Sequence, residues 1–244
     1  MKLKLLVAAS ALIAFDCCAG TLGDAFSAQG TVLSVNASAA WTRNDYTQQF
    51  LLQPEVEKKY DAADNNTNVA VGELFIGRQM QFNSWLGQLG LAVAQSSSIR
   101  LSGDIWEDAE QDFNNFSYSY KVKHRYIAVK SKWLMLTSSG FLPYVSGSIG
   151  AGFNRASNFT ITPKITEEVP AAPFADKRHT ALSYTLGVGV QKAINDHWQT
   201  NIGYEFANWG KHSLGRAPGQ TLNEGLMVDR FYTHALQLGV SYLI

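Results

Sequence analysis

The stretch Gly187 to Gly210, GVGVQKAINDHWQTNIGYEFANWG, decides the fold. After the central Asn195-Asp196, every second residue forms one of two sets. One set is Trp198, Thr200, Ile202, Tyr204 and Phe206, and the other is Gln199, Asn201, Gly203, Glu205 and Ala207. Strict alternation is the period of a β-strand with one apolar and one polar face. Asn and Asp tolerate positive φ, so Asn195-Asp196 is expected to make a two-residue hairpin turn. A soluble barrel or sandwich would point the apolar face inward, and a membrane barrel would point it out into lipid.

Working outward, eight segments share this character: Thr31 to Arg43, Val69 to Phe82, Gly87 to about Ser102, Phe116 to Leu134, Leu142 to Arg155, Thr180 to Ile194, the stretch from Trp198, and Tyr232 to Ile244. No segment has the pattern of an amphipathic helix. Short connections (Asn83 to Leu86, Met135 to Phe141, Asn195-Asp196) alternate with long ones (Asn44 to Asn68, Gly103 to Asn115, Ala156 to His179, Gly210 to Phe231). That asymmetry is the pattern of an outer-membrane barrel, short turns at one end and long loops at the other. Prolines fall in the long connections or, for Pro143, near a strand start, where no ladder bond is lost.

The polar faces decide which side is wet. They consist of Gly, Ser, Asn, Gln and Ala with few charges, and a soluble barrel would carry charge outward on nearly every strand. Small polar residues suit the interior of an eight-stranded barrel, which has room only for side chains. The aromatics sort to the strand ends: Trp85, Trp133, Trp198 and Tyr242 at the short-turn end, Trp41, Trp106, Tyr118 and Trp209 at the long-loop end. Trp and Tyr favour the headgroup level of a bilayer, so these residues are expected to form two girdles. The fold class expected is therefore all-β, an eight-stranded antiparallel up-and-down transmembrane β-barrel.

The N-terminal MKLKLLVAASALIAFDCCAG has a basic start, a short apolar run and small residues before Gly20, as a secretory signal peptide does. Residues 1–19 are expected to be that signal and residues 20–244 the barrel domain. Both cysteines, Cys17 and Cys18, would leave with it. Net charge is zero, with 20 Lys+Arg against 20 Asp+Glu, which argues against a nucleic-acid partner.

With this signal and the terminal strand YTHALQLGVSYLI, the chain resembles the small eight-stranded outer-membrane barrels of the OmpA-type transmembrane domain and OmpX. The resemblance implies residence in the outer membrane of a Gram-negative bacterium, among outer-membrane lipid and lipopolysaccharide. It also implies recognition of the terminal strand by the barrel-assembly machinery. Members usually end in Phe or Trp, whereas this chain ends in Ile244 with Tyr242 two residues before.

Charges on the polar faces, Glu73, Arg100, Lys121, Lys123, Arg125 and Glu205, are expected to meet in the lumen, because an ion facing hydrocarbon costs about 2–4 kcal/mol at midplane. Such a cluster is either a salt-bridged plug or a constriction selecting small anions. Arg78 breaks the pattern by facing lipid and is expected to snorkel or to mark a bulge. The histidines show no metal spacing, and no cofactor or metal is expected. His212-Ser213 and His234 are the only candidates for a lipid-modifying enzyme, and no acidic residue is placed to orient them, so no catalytic residue is assigned. Gly147-x-x-Gly150-x-Gly152 lies within a strand and reads as close packing rather than a nucleotide loop. The reading is a structural or adhesive surface protein with a closed polar lumen, its long loops free to meet a host surface or another envelope component. A narrow pore or OmpW-like carrier of small hydrophobic compounds is the alternative.

Overall fold

The computed structural model describes residues 29–44, 46–63, 65–166 and 168–244; the expected signal lies outside the described residues. In chain order the strands are β1 (Gly30–Asn44), β2 (Gln48–Gln53), β3 (Val56–Ala62), β4 (Asn65–Phe82), β5 (Trp85–Ser96), β6 (Ile99–Glu107), β7 (Phe116–Met135), β8 (Phe141–Pro163), β9 (Lys177–Ala193), β10 (Trp198–Asn208), β11 (His212–Ser213), β12 (Met227–Val228) and β13 (Tyr232–Leu243). Eight of them, β1, β4, β5, β7, β8, β9, β10 and β13, pair antiparallel in that order. β13 closes on β1 from Val32↔Leu243 to Trp41↔His234, so the sheet has no free edge through its lower part. This is an eight-stranded antiparallel up-and-down barrel.

The turns at one end are tight. β4 and β5 are joined by Asn83-Ser84, with Asn83 at φ 52°, a conformation Asn accepts at low cost. Between β9 and β10 the turn is longer than the two residues expected, spanning residues 194–197, and neither Asn195 nor Asp196 has positive φ. The Asn195 Oδ1 accepts from the backbone N–H of His197 at 3.0 Å and of Trp198 at 2.8 Å, and this side-chain-to-backbone bonding replaces the mirror-image turn.

The expected long loops prove to be partly sheet, the first of them mostly so. β2 and β3 form a hairpin within the first, β3 pairs with β6, and β8 runs eight residues past Arg155 to Pro163. β5 and β6 together follow β7, but the pairing moves from Gln95↔Arg125 to Ile99↔Val122. The extra residue at Ser97-Ser98 makes a bulge, and beyond it the inward residues change from even to odd numbers: Ala92, Ala94 and Ser96 are buried below, Ile99, Leu101 and Ile105 above.

The two halves of the barrel bury opposite chemistry. In the lower half the outer wall is apolar: Val35, Leu74, Ile76, Leu91, Val145, Ile149, Leu182, Leu186, Ile202 and Leu236 are each more than half exposed. Its interior is mainly polar, with Ser34, Asn36, Gln79, Gln88, Gln191, Gln199 and Ser241 buried, and a small apolar cluster of Leu86, Leu134, Leu142 and Tyr144 lies at the short-turn end. In the upper half the interior is a hydrophobic core of Tyr60, Leu101, Tyr118, Tyr120, Phe159, Phe174, Leu214 and Phe231. Strand β7 carries the exchange without breaking its alternation. Its inward residues run Phe116, Tyr118, Tyr120, Val122, then Lys130 and Lys132; its outward ones run Ser117, Ser119, Lys121, Lys123, Arg125, then Ile127, Val129 and Trp133.

Candidate functional site: a plugged lumen under an aromatic cap

The polar interior is organised on Glu73 of β4. Its carboxylate accepts from Lys130 Nζ at 2.6 and 2.9 Å, from the Tyr126 hydroxyl at 2.5 Å and from Asn36 Nδ2 at 3.0 Å. The same Nζ donates to Glu205 Oε2 of β10 at 3.0 Å, so one ammonium bridges two carboxylates from opposite walls. The side chains of Lys130, Glu73 and Glu205 are 7%, 3% and 10% exposed, so the triad is buried. Buried ions persist only when paired and hydrogen-bonded, and here three strands supply the pairing.

Below this triad a ladder of amides crosses the lumen. Lys132 Nζ donates to Gln191 Oε1 at 2.5 Å, and Gln191 Nε2 donates to Gln199 Oε1 at 2.5 Å. Gln88 donates to Gln79 at 2.8 Å, and Ser34 and Ser241 share a hydroxyl bond of 2.7 Å. Lys132 also lies 4.1 Å from the centre of the Tyr144 ring. Inward glycines make room for these chains: a Cβ on Gly203 would stand 2.3 Å from the Tyr144 hydroxyl, and one on Gly239 1.8 Å from Asn36 Oδ1. The space left among Asn36, Glu73, Lys130, Lys132 and Tyr144 is about 20 Å³, enough for about one water.

Above the triad, the chain between β10 and β13 folds back into the mouth. Trp209 is 3% exposed, packs edge-on to Tyr126 at 5.5 Å and donates its indole N–H to Thr233 at 2.8 Å. His124 stacks on Phe231 at 4.8 Å and bonds Asn154 Oδ1 through Nδ1 at 2.7 Å. His212 lies edge-on to His124 at 5.7 Å, and burial, with the nearby His124 and His179, holds its imidazole well below the ordinary histidine range. Tyr118, Tyr120, Phe159, Phe174, Tyr60 and Phe50 then fill the upper barrel ring against ring. Burial, followed by the charges of Tyr118 and Glu107, pushes the Tyr60 phenol above its usual range.

Of the six charged residues expected in the lumen, Glu73 and Glu205 are inside. Arg100, Lys121, Lys123 and Arg125 are not; they point outward from the upper half of β6 and β7. Two causes combine. The bulge at Ser97-Ser98 turns Arg100 over, and β7 lies above the apolar wall at Lys121 to Arg125, so its polar face there is the outer one. The lumenal cations are instead Lys130 and Lys132. Their sequence signal is the parity they share with Tyr126 and Ala128, opposite Ile127, Val129 and Trp133. Arg78 faces outward as expected, near the short-turn end, with its guanidinium donating to Thr31 at 3.0 Å.

The expected girdle residues divide likewise. Trp85, Trp133 and Trp198 are outward at the short-turn end, where Trp133 packs on Phe82 at 5.7 Å and Trp198 on Tyr242 at 4.8 Å. Trp41 is outward at the other end, stacked on its cross-strand partner His234 at 6.2 Å. Tyr118 and Trp209 are buried inside rather than in a girdle. Trp106 stands on the outer face of the extended sheet under the ammonium of Lys59, 3.7 Å from its ring, beyond the apolar wall. His212 and Ser213 are sealed in the core, while His234 is on the outer wall, hydrogen-bonded to Tyr204 at 2.5 Å, so these three never meet. No group of His, Cys, Asp and Glu among the described residues has a metal-binding arrangement.

No curated protein matches the sequence. Among solved structures, the neisserial surface protein A (NspA) is similar at 12% identity and a TM-score of 0.47, over 89% of this chain and 100% of that one. OprG of Pseudomonas aeruginosa is similar at 13% identity and a TM-score of 0.47, over 88% and 96%. The attachment invasion locus protein Ail of Yersinia pestis is similar at 14% identity and a TM-score of 0.39, over 89% and 100%. The model of the outer membrane protein beta-barrel domain matches residues 25–243. With its apolar outer wall, closed ring of strands and buried polar centre, the chain belongs to the outer membrane protein beta-barrel domain family and resides in the outer membrane of a Gram-negative bacterium.

Proposed function

We propose that this protein is a non-conducting surface barrel, an anchored scaffold whose specific contacts are made by its extracellular sheet and connections. The observation that carries this is the double closure of the lumen. The Lys130–Glu73–Glu205 triad fills the membrane half, and Trp209, His124, Phe231 and the aromatic core fill the half above. An ion crossing would have to break a buried charge network and then enter a hydrocarbon-like layer, each costing several kcal/mol. Catalysis is not part of this reading, since the histidines that could act on lipid are separated by the barrel wall. The terminal strand ending at Ile244 is read by the assembly machinery, and partners on host or envelope surfaces meet the connections above the membrane. Conductance across a planar bilayer tests the proposal: purified protein inserts without discrete channels, and stable channels of reproducible size would overturn it.

A second reading is favoured by one feature, a narrow apolar crevice of about 10 Å³ among Leu52, Tyr60, Phe116, Phe159 and Phe174, which would have to widen to admit a ligand. A carrier of small hydrophobic compounds would begin there. Saturable binding of 1-N-phenylnaphthylamine by folded protein, lost in Phe174→Asp, would favour the carrier over the scaffold.

A further inference from the structure

The four cations misplaced from the lumen form a feature of their own on the outer wall. Arg100 is the cross-strand partner of Lys121, and Lys123 is the partner of Arg155, which in turn is the partner of Arg178. Arg125 lies on the same face, two residues from Lys123 and opposite Phe153. Like charges directly opposite one another in a sheet are destabilising, so the Arg100–Lys121 pair and the Lys123–Arg155–Arg178 row beside it need a compensating anion. The chain supplies little. Arg155 has Asp176 at 3.1 Å, with both side chains about half exposed. Asp61 and Asp104 line one outer groove with Arg100, but their carboxylates are engaged by other partners, Asp104 with Lys164 at 2.8 Å and Asp61 with Thr47 at 2.8 Å. Among the described residues, Arg100, Lys121, Lys123, Arg125 and Arg178 make no ion pair.

Their height identifies the anion. The next outward residue below Arg125 is Ile127, below Arg155 it is Phe153, and two below Arg178 stands Thr180 followed by Leu182; Ile127, Phe153 and Leu182 are 51%, 46% and 66% exposed on the apolar wall. Two residues of strand are about 7 Å, or about 5 Å of height at the usual barrel tilt, so Arg125 and Arg155 stand one layer above the hydrocarbon boundary, Lys123 and Arg178 two layers, and Lys121 with its partner Arg100 three, a band of about 5–15 Å. That is where phosphates of lipid headgroups lie. Among the described side chains, the corresponding rim of β1, β10 and β13 carries Trp41, Phe206 and Tyr232. Four arginines add planar donor pairs matched to phosphate oxygens.

We infer that the outer faces of β6, β7, β8 and β9 bind the phosphate groups of a phosphorylated glycolipid in the surrounding outer leaflet, with Arg100, Lys121, Lys123, Arg125, Arg155 and Arg178 as its ligands. The inference stands on the outer wall alone and is independent of whether the lumen conducts.

The test uses full-length folded protein in zwitterionic micelles, with the thermal midpoint followed against added bisphosphoryl lipid A, dephosphorylated lipid A of the same acyl chains, or inositol hexakisphosphate. Bisphosphoryl lipid A raises the midpoint saturably and the dephosphorylated lipid does not. The variants Lys123→Gln/Arg155→Gln and Arg100→Gln/Lys121→Gln each weaken that binding about 25-fold, or about fivefold per charge removed. Lys192→Gln, an outward lysine at the opposite end of the barrel, leaves it unchanged. Without lipid, both double variants are at least as stable as the parent, because repulsion is relieved; a lowered midpoint in both overturns the like-charge argument. Equal binding of the phosphorylated and dephosphorylated lipids, or unaltered affinity in both double variants, overturns the site. Inositol hexakisphosphate binding as tightly as the lipid, with the same loss in the variants, assigns the patch to a soluble polyanion and overturns the lipid.

Discussion

Replacing Lys130 with Met removes one ammonium and three short contacts, at 2.6 and 2.9 Å to Glu73 and 3.0 Å to Glu205. The side chains are similar in volume, so packing is largely kept. The two carboxylates are not equally harmed. Glu73 keeps the Tyr126 hydroxyl at 2.5 Å and the Asn36 amide at 3.0 Å, whereas Glu205 loses the cation that bridged it. Breaking a buried pair by removing one partner costs about 3–5 kcal/mol, and most of that cost should sit on Glu205. Denaturant unfolding of the micelle-folded protein, followed by tryptophan fluorescence, should therefore show Lys130→Met destabilised by about that amount. Adding Glu205→Gln to it should recover more than adding Glu73→Gln does, and the variant with all three changes should return close to the parent, since a neutral hydrogen-bonded interior no longer carries an unpaired charge. A loss below about 1 kcal/mol for Lys130→Met would mean that water reaches the triad, contrary to its burial. Equal rescue by the two glutamate changes would refute the division of labour between them.

Other outcomes follow from the same geometry. Gly203→Ala, whose new methyl would meet the Tyr144 hydroxyl at 2.3 Å, should lose about 1–3 kcal/mol, while Gly72→Ala, with nothing within 4 Å, should be near neutral in the same assay. His212 is held below its ordinary value by burial, so below about pH 6.5 the unfolded chain takes up a proton that the folded one refuses. Its contribution is intact above that pH and falls with acidification, by up to about 1.4 kcal/mol per pH unit, and His212→Leu should flatten the pH dependence of the unfolding midpoint. Phe174→Ala, which removes ring contacts to Tyr60, Phe50 and Phe159, should cost about 3–5 kcal/mol locally. Limited proteolysis should read this as faster cutting of the segment before β9, with the membrane half still protected.

Alternation alone reveals the eight barrel strands and, except across the bulge at Ser97-Ser98, which residues share a face. It did not reveal which face was inside at each height. On β7 the sets Tyr118–Tyr120–Val122 and Lys121–Lys123–Arg125 were separated correctly, but assigning the apolar set to lipid holds only below Arg125. The clue is internal to the strand: from Tyr126 onward the apolar set changes parity, from Tyr120 and Val122 to Ile127 and Val129. Arg100 was harder to place. Its inversion depends on one extra residue in a run of serines, Ser96-Ser97-Ser98, that differs little from an ordinary polar strand end. Lys130 and Lys132 could have been found from the β7 parity, since both stand opposite Val129 and Trp133. The inward fold of the connection holding His212 and Leu214 rests on tertiary packing that local composition does not encode.

The exchange of faces along β7 also fixes how deep the barrel sits. Sinking by two residues would draw Arg125 towards the acyl chains, at a penalty that grows from about 0–1 kcal/mol at the boundary to about 2–4 at the centre. Rising by two would strip lipid from Ile127 and its neighbours on the adjoining strands. A barrel with uniform strands could bob in a membrane of changing thickness; this one carries its own waterline.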